Sequence, residues 1–361
     1  MKKEKEKNFK EKIKIESKVL VKTEKTYGKY AFKIPNLDNI KKAIGYDEIS
    51  NELKNIILPL NKNYDQKSNK EFDYSQKISI NHDHHTKLYR PVNIPKPSDW
   101  LYQHKELGQS YKNYSTGMIN QPSKLHNTVF INILDENPLQ GFLNEEKIKI
   151  IINILGCYYP NVNFELMKKH YSHKDLKIDC RENYYLQYNA GQTIDNLCKL
   201  IPKSGLLIIG VTVDDIYPRD EWNFVYGLAN SMYGCAVFSL KRHIEEALEE
   251  YQTDDVNKIA LYAIKNATKT MIHEIGHLFG IKHCIYYNCI MNGHNHSKEK
   301  SNPFFCPVCL RKIHYNLKFD IVKMYKSCLE YFINIETTNK NVPIDYNEEI
   351  SWLKLRLESI E

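Results

Sequence analysis

The sequence predicts an α/β domain over residues 128–335: a mixed, mainly parallel, twisted sheet with helices on its faces and a C-terminal part stapled by a cysteine cluster. Three observations predict it. Residues 205–213 (GLLIIGVTV) form a nearly continuous apolar run, as a strand buried on both faces requires. From residue 128 onward, strand-like runs alternate with runs of helical apolar spacing, the order that joins parallel strands through helices. Residues 256–280 keep helical spacing for about seven turns, so one long helix is expected against that sheet.

Residues 1–90 are Lys-rich and polar and are expected to be a poorly ordered extension. Residues 91–127 carry many turn formers and read as an ordered lead-in, with a short helix near Asp99–Gly108 capped by Ser98. TVFINIL (128–134) is a β-rich run. NEEKIKIIINILGCYY (144–159) has an acidic first turn and helical spacing. Residues 161–166 read as a second strand, 193–201 as a short helix, and 233–240 (YGCAVFSL) as a further strand. Gly280 is placed to end the long helix in a left-handed conformation. Residues 284–314 are a Cys- and His-rich loop region, and residues 319–335 return to helix. Residues 336–361 form a tail with a short amphipathic helix.

The chain has 361 residues and a formal net charge of +7. Residues 1–25 hold ten Lys and five Glu, so this segment alone supplies +5 and the remainder is near neutral. A solvated tail is the expectation, and no nucleic-acid partner is expected from it. No stretch approaches the roughly 18 apolar residues that a membrane helix needs, so no membrane partner is expected. No apolar run follows the basic N-terminus, so an intracellular, cytoplasmic or also nuclear, protein is expected. In a reducing compartment clustered cysteines point to metal rather than disulfides. Cys157, Cys180, Cys198, Cys235 and Cys328 are scattered and are expected to be buried small hydrophobes. His82, His84 and His85 read as an exposed polar loop, Asp214 and Asp215 as turn residues, and Trp222 and Tyr226 as core.

The chemistry concentrates in His273-Glu274-Ile-Gly-His277-Leu-Phe-Gly280-Ile-Lys-His283. On a helix, positions i and i+4 share a face, so His273 and His277 present their imidazoles to one ion. Glu274 sits on the adjacent edge, within reach of a water on that ion. Gly280 lets the chain turn so that His283 returns as a third ligand. Three protein ligands leave one position open, the mark of a catalytic zinc. A bare HExxH arises by chance in roughly a few per cent of chains of this size, and requiring Gly280 and His283 lowers that by about a thousandfold. Cys284-x4-Cys289, followed by Cys306-Pro-Val-Cys309, is a separate signature: four thiolates close a coordination sphere, so this second zinc is expected to be structural. A redox CxxC is the rival reading. His294 and His296 are spare candidates for either metal. Two zinc ions per chain are therefore expected.

HExxHxxGxxH followed by Met291 resembles the metzincin metallopeptidases. Cys directly after the third His, then x4-Cys-x-Met and a later CxxC, is similar to the archaemetzincin family, nearest its eukaryotic members. PSDWLYQHKELGQSY (97–111), VTVDDIYPRDEWNFVYGLAN (211–230), CAVFSL (235–240) and CPVCLRKI (306–313) carry the resemblance further, over residues 90–335. The 14-residue spacer from Met291 to Cys306 is slightly shorter than usual for the family. The resemblance implies a metzincin-like fold in which His273, His277 and His283 hold the catalytic zinc and Glu274 is the general base. It further implies that Cys284, Cys289, Cys306 and Cys309 hold the structural zinc and that Met291 is the Met-turn residue. Gly234, Cys235, Ala236, Val237 and Phe238 would form the edge strand above the cleft, where an extended peptide could add as a further strand.

The reaction expected is hydrolysis of peptide bonds in a peptide or protein substrate, through a zinc-bound water activated by Glu274. Endopeptidase and aminopeptidase action both stay open. The alternative is a zinc protein that binds peptides or partners on the same fold without turnover, but binding alone has no need of Glu274. A zinc-ribbon-like nucleic-acid module is a further rival. It lacks the expected basic face with interleaved aromatics in residues 284–314.

Overall fold

The computed structural model describes residues 35–58, 88–117, 119–138, 141–294, 302–338 and 345–360. Its centre is a five-stranded sheet: β1 (Thr128–Ile133), β2 (Asn163–Leu166), β5 (Gly205–Thr212), β7 (Gly227–Asn230) and β8 (Cys235–Ser239), in the order β2-β1-β5-β8-β7. β2, β1, β5 and β8 are parallel, and β7 runs antiparallel to β8. β5 lies in the middle and is almost wholly buried, as its apolar run requires.

Alternation along β5 and β8 divides the core. Leu207, Ile209, Val211, Ala236 and Phe238 face the larger core, and Ile208, Cys235 and Val237 face the smaller. On the larger side pack α5 (Glu145–Tyr158), whose Asn144 side chain caps it, and α8 (Val256–Leu278), capped by Asp255. On the smaller side lies α6 (Ala190–Leu197), capped by Asn189, so the helix predicted at 193–201 starts earlier. Gly210 makes that approach feasible: a Cβ there would lie 2.8 Å from Leu134 and 2.9 Å from Leu197. A small second sheet, β3 (Cys180–Asn183), β4 (Tyr185–Asn189) and β6 (Asp215–Tyr217), flanks the first.

The ends of the chain depart from expectation. Residues 37–57, expected to be poorly ordered, contain α1 (Leu37–Ile44) and α2 (Asn51–Ile57), and Ile40, Ala43, Ile44 and Ile57 join the larger core. The short helix expected in the C-terminal tail is α11 (Asn347–Glu358), and it is docked: Trp352 and Leu353 are buried in the same core. The lead-in helix is α3 (Trp100–Gln103), with Asp99 rather than Ser98 at its N-cap, followed by α4 (Tyr111–Ser115). Asp99 holds the turn before it by accepting the Lys96 amide at 2.7 Å. α7 (Lys241–Tyr251) precedes α8; after it come α9 (Pro307–Leu317), which begins within the stretch expected to be loop, and α10 (Ile321–Thr338). Among the described residues no helix is long and apolar enough to cross a membrane.

Three side-chain expectations are corrected. Trp222 is 46% exposed rather than core, while half-buried Tyr226 donates to Glu246 at 2.7 Å. Cys180 is exposed, and Cys157 and Cys198 are half-buried; only Cys235 and Cys328 of the scattered five are buried. Asp215 lies in β6, fully buried, and is held by Arg242 at 2.5 Å. His82, His84, His85 and His296 lie outside the described residues.

Candidate active site and its neighbouring thiolate site

α8 carries His273 and His277 on one face, and the chain leaves the helix through Gly280 at φ +87°. That left-handed turn, open to glycine without strain, brings His283 back to the same point. The ligand atoms of the three His lie within 4.8 Å of one another.

Their hydrogen bonds fix the tautomers. His273 Nδ1 donates to the Ile290 carbonyl at 2.8 Å, His277 Nδ1 to the Ile281 carbonyl at 2.6 Å, and His283 Nδ1 to Glu106 Oε1 at 2.6 Å. Carbonyl and carboxylate oxygens only accept, so each Nδ1 carries the proton and each Nε2 presents a lone pair. Two of those lone pairs, on His273 and His277, face each other at 2.9 Å. Such an arrangement is repulsive unless a cation is shared, and neutral imidazoles are what a zinc ion takes. Burial keeps both rings neutral, pulling His277 down to about 4 and His273 well below the ordinary range. The residues therefore fit the metal that the motif implies.

Glu274 points from the same helix, beside the sheet edge: a Cβ on Gly227 would lie 3.2 Å from its Cγ. Burial pushes its carboxyl up to about 7. A cation on the neighbouring rings would draw it down again.

Met291 lies directly beneath the helix. Gly276, an unassigned position of the motif, leaves the room, since a Cβ there would meet the Met291 sulfur at 2.5 Å. The turn is pinned by the Cys284 amide donating to the Met291 carbonyl at 2.7 Å, and by Asn292. The Asn292 side chain accepts from the Cys289 amide and donates to the carbonyls of Cys284 and Tyr287.

Cys284, Cys289, Cys306 and Cys309 are all buried, with sulfur atoms within 4.8 Å of one another. Cys289 Sγ accepts the amides of Cys306 at 3.3 Å and Met291 at 3.5 Å. Burial pushes the Cys289 thiol well up, while amides aimed at its sulfur favour the thiolate; a cation shared by the four sulfurs would tip the balance to thiolates, so the cluster could hold a metal ion. Half-buried His294 lies near His273, close enough for its charge to disfavour protonation there.

The edge-strand expectation is wrong by one strand. Cys235–Ser239 is internal, paired with β5 on one side and β7 on the other, and every residue in it is buried. Gly234 precedes it in a turn at φ +61°. The sheet edge is β7, Gly227–Asn230, which lies against α8 next to Glu274.

Several residues around the site were not read from the sequence. Gln109 donates to the Gly280 carbonyl and accepts the Lys282 amide, and the Tyr114 hydroxyl donates to the Phe279 carbonyl. Asn120 bridges the carbonyls of Ser231 and Leu278. Gln109 and Tyr114, with Ile119, Ala229 and Ser231, line a cavity of about 370 Å³ beside His277. The only sequence signal was that 97–111 resembled the same family as the zinc motif; no spacing rule links position 106 to position 283.

The model of Peptidase family M54 matches residues 124–315. Archaemetzincin-2 of Macaca fascicularis is 30% identical over 268 residues, 68% of this chain and 74% of that protein. Human archaemetzincin-2 is 29% identical over the same shares. The archaemetzincin of Thermococcus kodakarensis is 26% identical over 181 residues, 49% of this chain and 94% of that protein. Among solved structures, an archaemetzincin from Methanopyrus kandleri aligns with a TM-score of 0.41 at 22% identity, covering 55% of this chain and 99% of that one. A family model spanning over half of the sequence, with a relative 30% identical across two thirds of it, carries one conclusion: the chain belongs to peptidase family M54, the archaemetzincins.

Proposed function

We propose that this zinc metallopeptidase hydrolyses peptide bonds with one zinc held by His273, His277 and His283 and Glu274 as its general base, while a second, structural zinc is held by Cys284, Cys289, Cys306 and Cys309. The observation that carries it is the set of three imidazoles with fixed Nδ1 protons and convergent Nε2 atoms, beside a buried carboxylate. When bound, the catalytic zinc supplies Lewis acidity, bringing the pKa of a water towards about 7 and polarising a carbonyl.

The chain's own residues do the rest. Glu274 takes the proton of the attacking water and delivers it to the leaving amine. β7 is the open edge of the sheet beside Glu274, so an extended substrate adds there through its backbone. Backbone pairing of this kind is indifferent to most side chains. The cavity beside His277 has room for one substrate side chain. A binding protein without turnover would have no use for a buried carboxylate at this place. Among the described residues no cysteine is in a disulfide, which suits a reducing, intracellular compartment.

The test is metal quantification with a peptide-library digest of wild type and Glu274→Gln. The variant is expected to keep wild-type zinc and lose at least about a hundredfold in hydrolysis, as loss of a general base does. Undiminished hydrolysis by Glu274→Gln would remove the assignment.

A further inference from the structure

His273 and His277 are held by the rigidity of α8, and their Nδ1 protons rest on main-chain carbonyls that the fold itself supplies. His283 has neither advantage. It follows the helix, on a loop, and its Nδ1 partner is a side chain 177 residues away. That partner, Glu106, is itself gripped: the Trp100 indole Nε1 donates to the same Oε1 at 2.9 Å. The Trp100 ring meets the His283 ring edge-on, with centroids 5.4 Å apart, and packs against the tilted His104 ring at 3.9 Å. Its other side rests on Gly293, where a Cβ would come within 2.4 Å of the indole. The same segment grips the backbone before His283, because Gln109 bonds both Gly280 and Lys282.

We propose that Glu106, locked by Trp100, is a positioning residue that orients His283 and fixes its tautomer, so that the segment 100–109 sets the affinity of the histidine site for zinc. All of this segment lies before residue 124, where the match to the family model begins. The third ligand is thus completed by a part of the chain outside the zinc motif. A carboxylate on the far nitrogen makes the imidazole a stronger donor and spares the loop the entropy of searching for its orientation. The inference rests on the proposed catalytic zinc site, and its test separates the two.

Full-length wild type, Glu106→Gln, Glu106→Leu and Trp100→Phe are titrated with zinc against a competing chelator. Cobalt substitution distinguishes the sites, because only the four-cysteine site gives thiolate charge-transfer absorption. Glu106→Gln is expected to lose about 10–100-fold in zinc affinity at the histidine site, the usual cost of removing such a partner. Trp100→Phe is expected to lose several-fold in the same direction. The cobalt–thiolate spectrum and the melting temperature of the metal-free protein should stay at wild-type values, which a merely structural role would not allow. If Glu106→Leu does not fold, Glu106→Gln decides alone. Zinc affinity within twofold of wild type in Glu106→Gln overturns the proposal. A wild type that takes zinc only at the thiolates would instead overturn the catalytic-site reading.

Discussion

Gly276 occupies a position that the zinc motif leaves undefined, yet the packing leaves it little choice. Its α-carbon faces the Met291 sulfur, which is fully buried and has no open side to retreat into. Gly276→Ala should therefore push the turn away from the histidines, at about 1–3 kcal/mol, the usual cost of overpacking. A lower urea midpoint together with weaker zinc binding at the histidine site is the expected result; wild-type values for both would show that the turn yields freely. Asp214 gives a second test at this scale. Burial, with Asp135 nearby, pushes its carboxyl up to about 6 from an ordinary 3.8. Between those values the folded chain binds more protons than the unfolded one, so this group's penalty is full above about pH 6 and fades as the pH falls towards 4. Asp214→Asn should stabilise the protein at pH 7 by up to about 1 kcal/mol after allowance for solvent screening, and by nothing near pH 4. Equal gains at both values, measured by urea denaturation, would contradict the linkage. Neither environment could be read from the sequence: a glycine facing a methionine beyond the helix and a carboxylate near another at the ends of two neighbouring strands leave no periodic trace.

At the scale of elements, the described residues between Cys284 and Cys306 have little regular structure and are held by side chains. The thiolates there would tie the Met-turn to the start of α9, where Cys306 is the N-cap and Pro307 opens the helix. Cys306→Ser should lower the melting temperature and halve the zinc content, while the residual zinc stays at the histidines. Unchanged stability and metal content would contradict a structural role. The elements that were legible have long, one-signed patterns: the apolar run of β5, the acidic first turn and spacing of α5, the 23 residues of helical spacing in α8. β7 was not. Gly-Leu-Ala-Asn has four residues, no β-branched side chain and uniform half-burial, so its alternation is invisible, and its neighbour Cys-Ala-Val-Phe-Ser drew the edge assignment instead. The metal ligands were legible for the opposite reason. Their spacing is set by helix geometry and by two short turns, which local sequence can encode; Glu106, which completes the site from 177 residues away, belongs to tertiary structure alone.

Across the whole molecule, α11 packs on the described residues around Ile56 and Leu88 and on the loop that bears the four cysteines. Trp352 in α11 stacks on Phe304, two residues before Cys306, with ring centroids 4.4 Å apart. Its indole donates to the Leu88 carbonyl at 3.2 Å, and its ring meets Tyr89 and Tyr325 edge-on or tilted. Four residues further, one helical turn, buried Arg356 bonds the Ile56 carbonyl at the end of α2, its guanidinium lying over the rings of Tyr89 and Tyr325. Polar flanks hid α1 and α2, and hid the docking of the short helix expected in the tail, because their apolar residues are few and find partners only in distant parts of the chain. The arrangement makes Trp352 a joint between the segments near Ile56 and Leu88, α11 and the loop that bears the four cysteines. Trp352→Ala should cost about 3–5 kcal/mol, as large-to-small changes at buried aromatics do. The loss should not stay local: with Phe304 unstacked, the loop bearing Cys306 loosens, and a chelator should strip the thiolate zinc faster than from wild type. The histidine site, held by α8 and the segment 100–109, should keep its affinity. Stopped-flow chelation with cobalt-loaded protein follows the two sites separately. Equal loss of metal from both would mean that the C-terminal helix supports the molecule as a whole rather than the thiolate loop in particular.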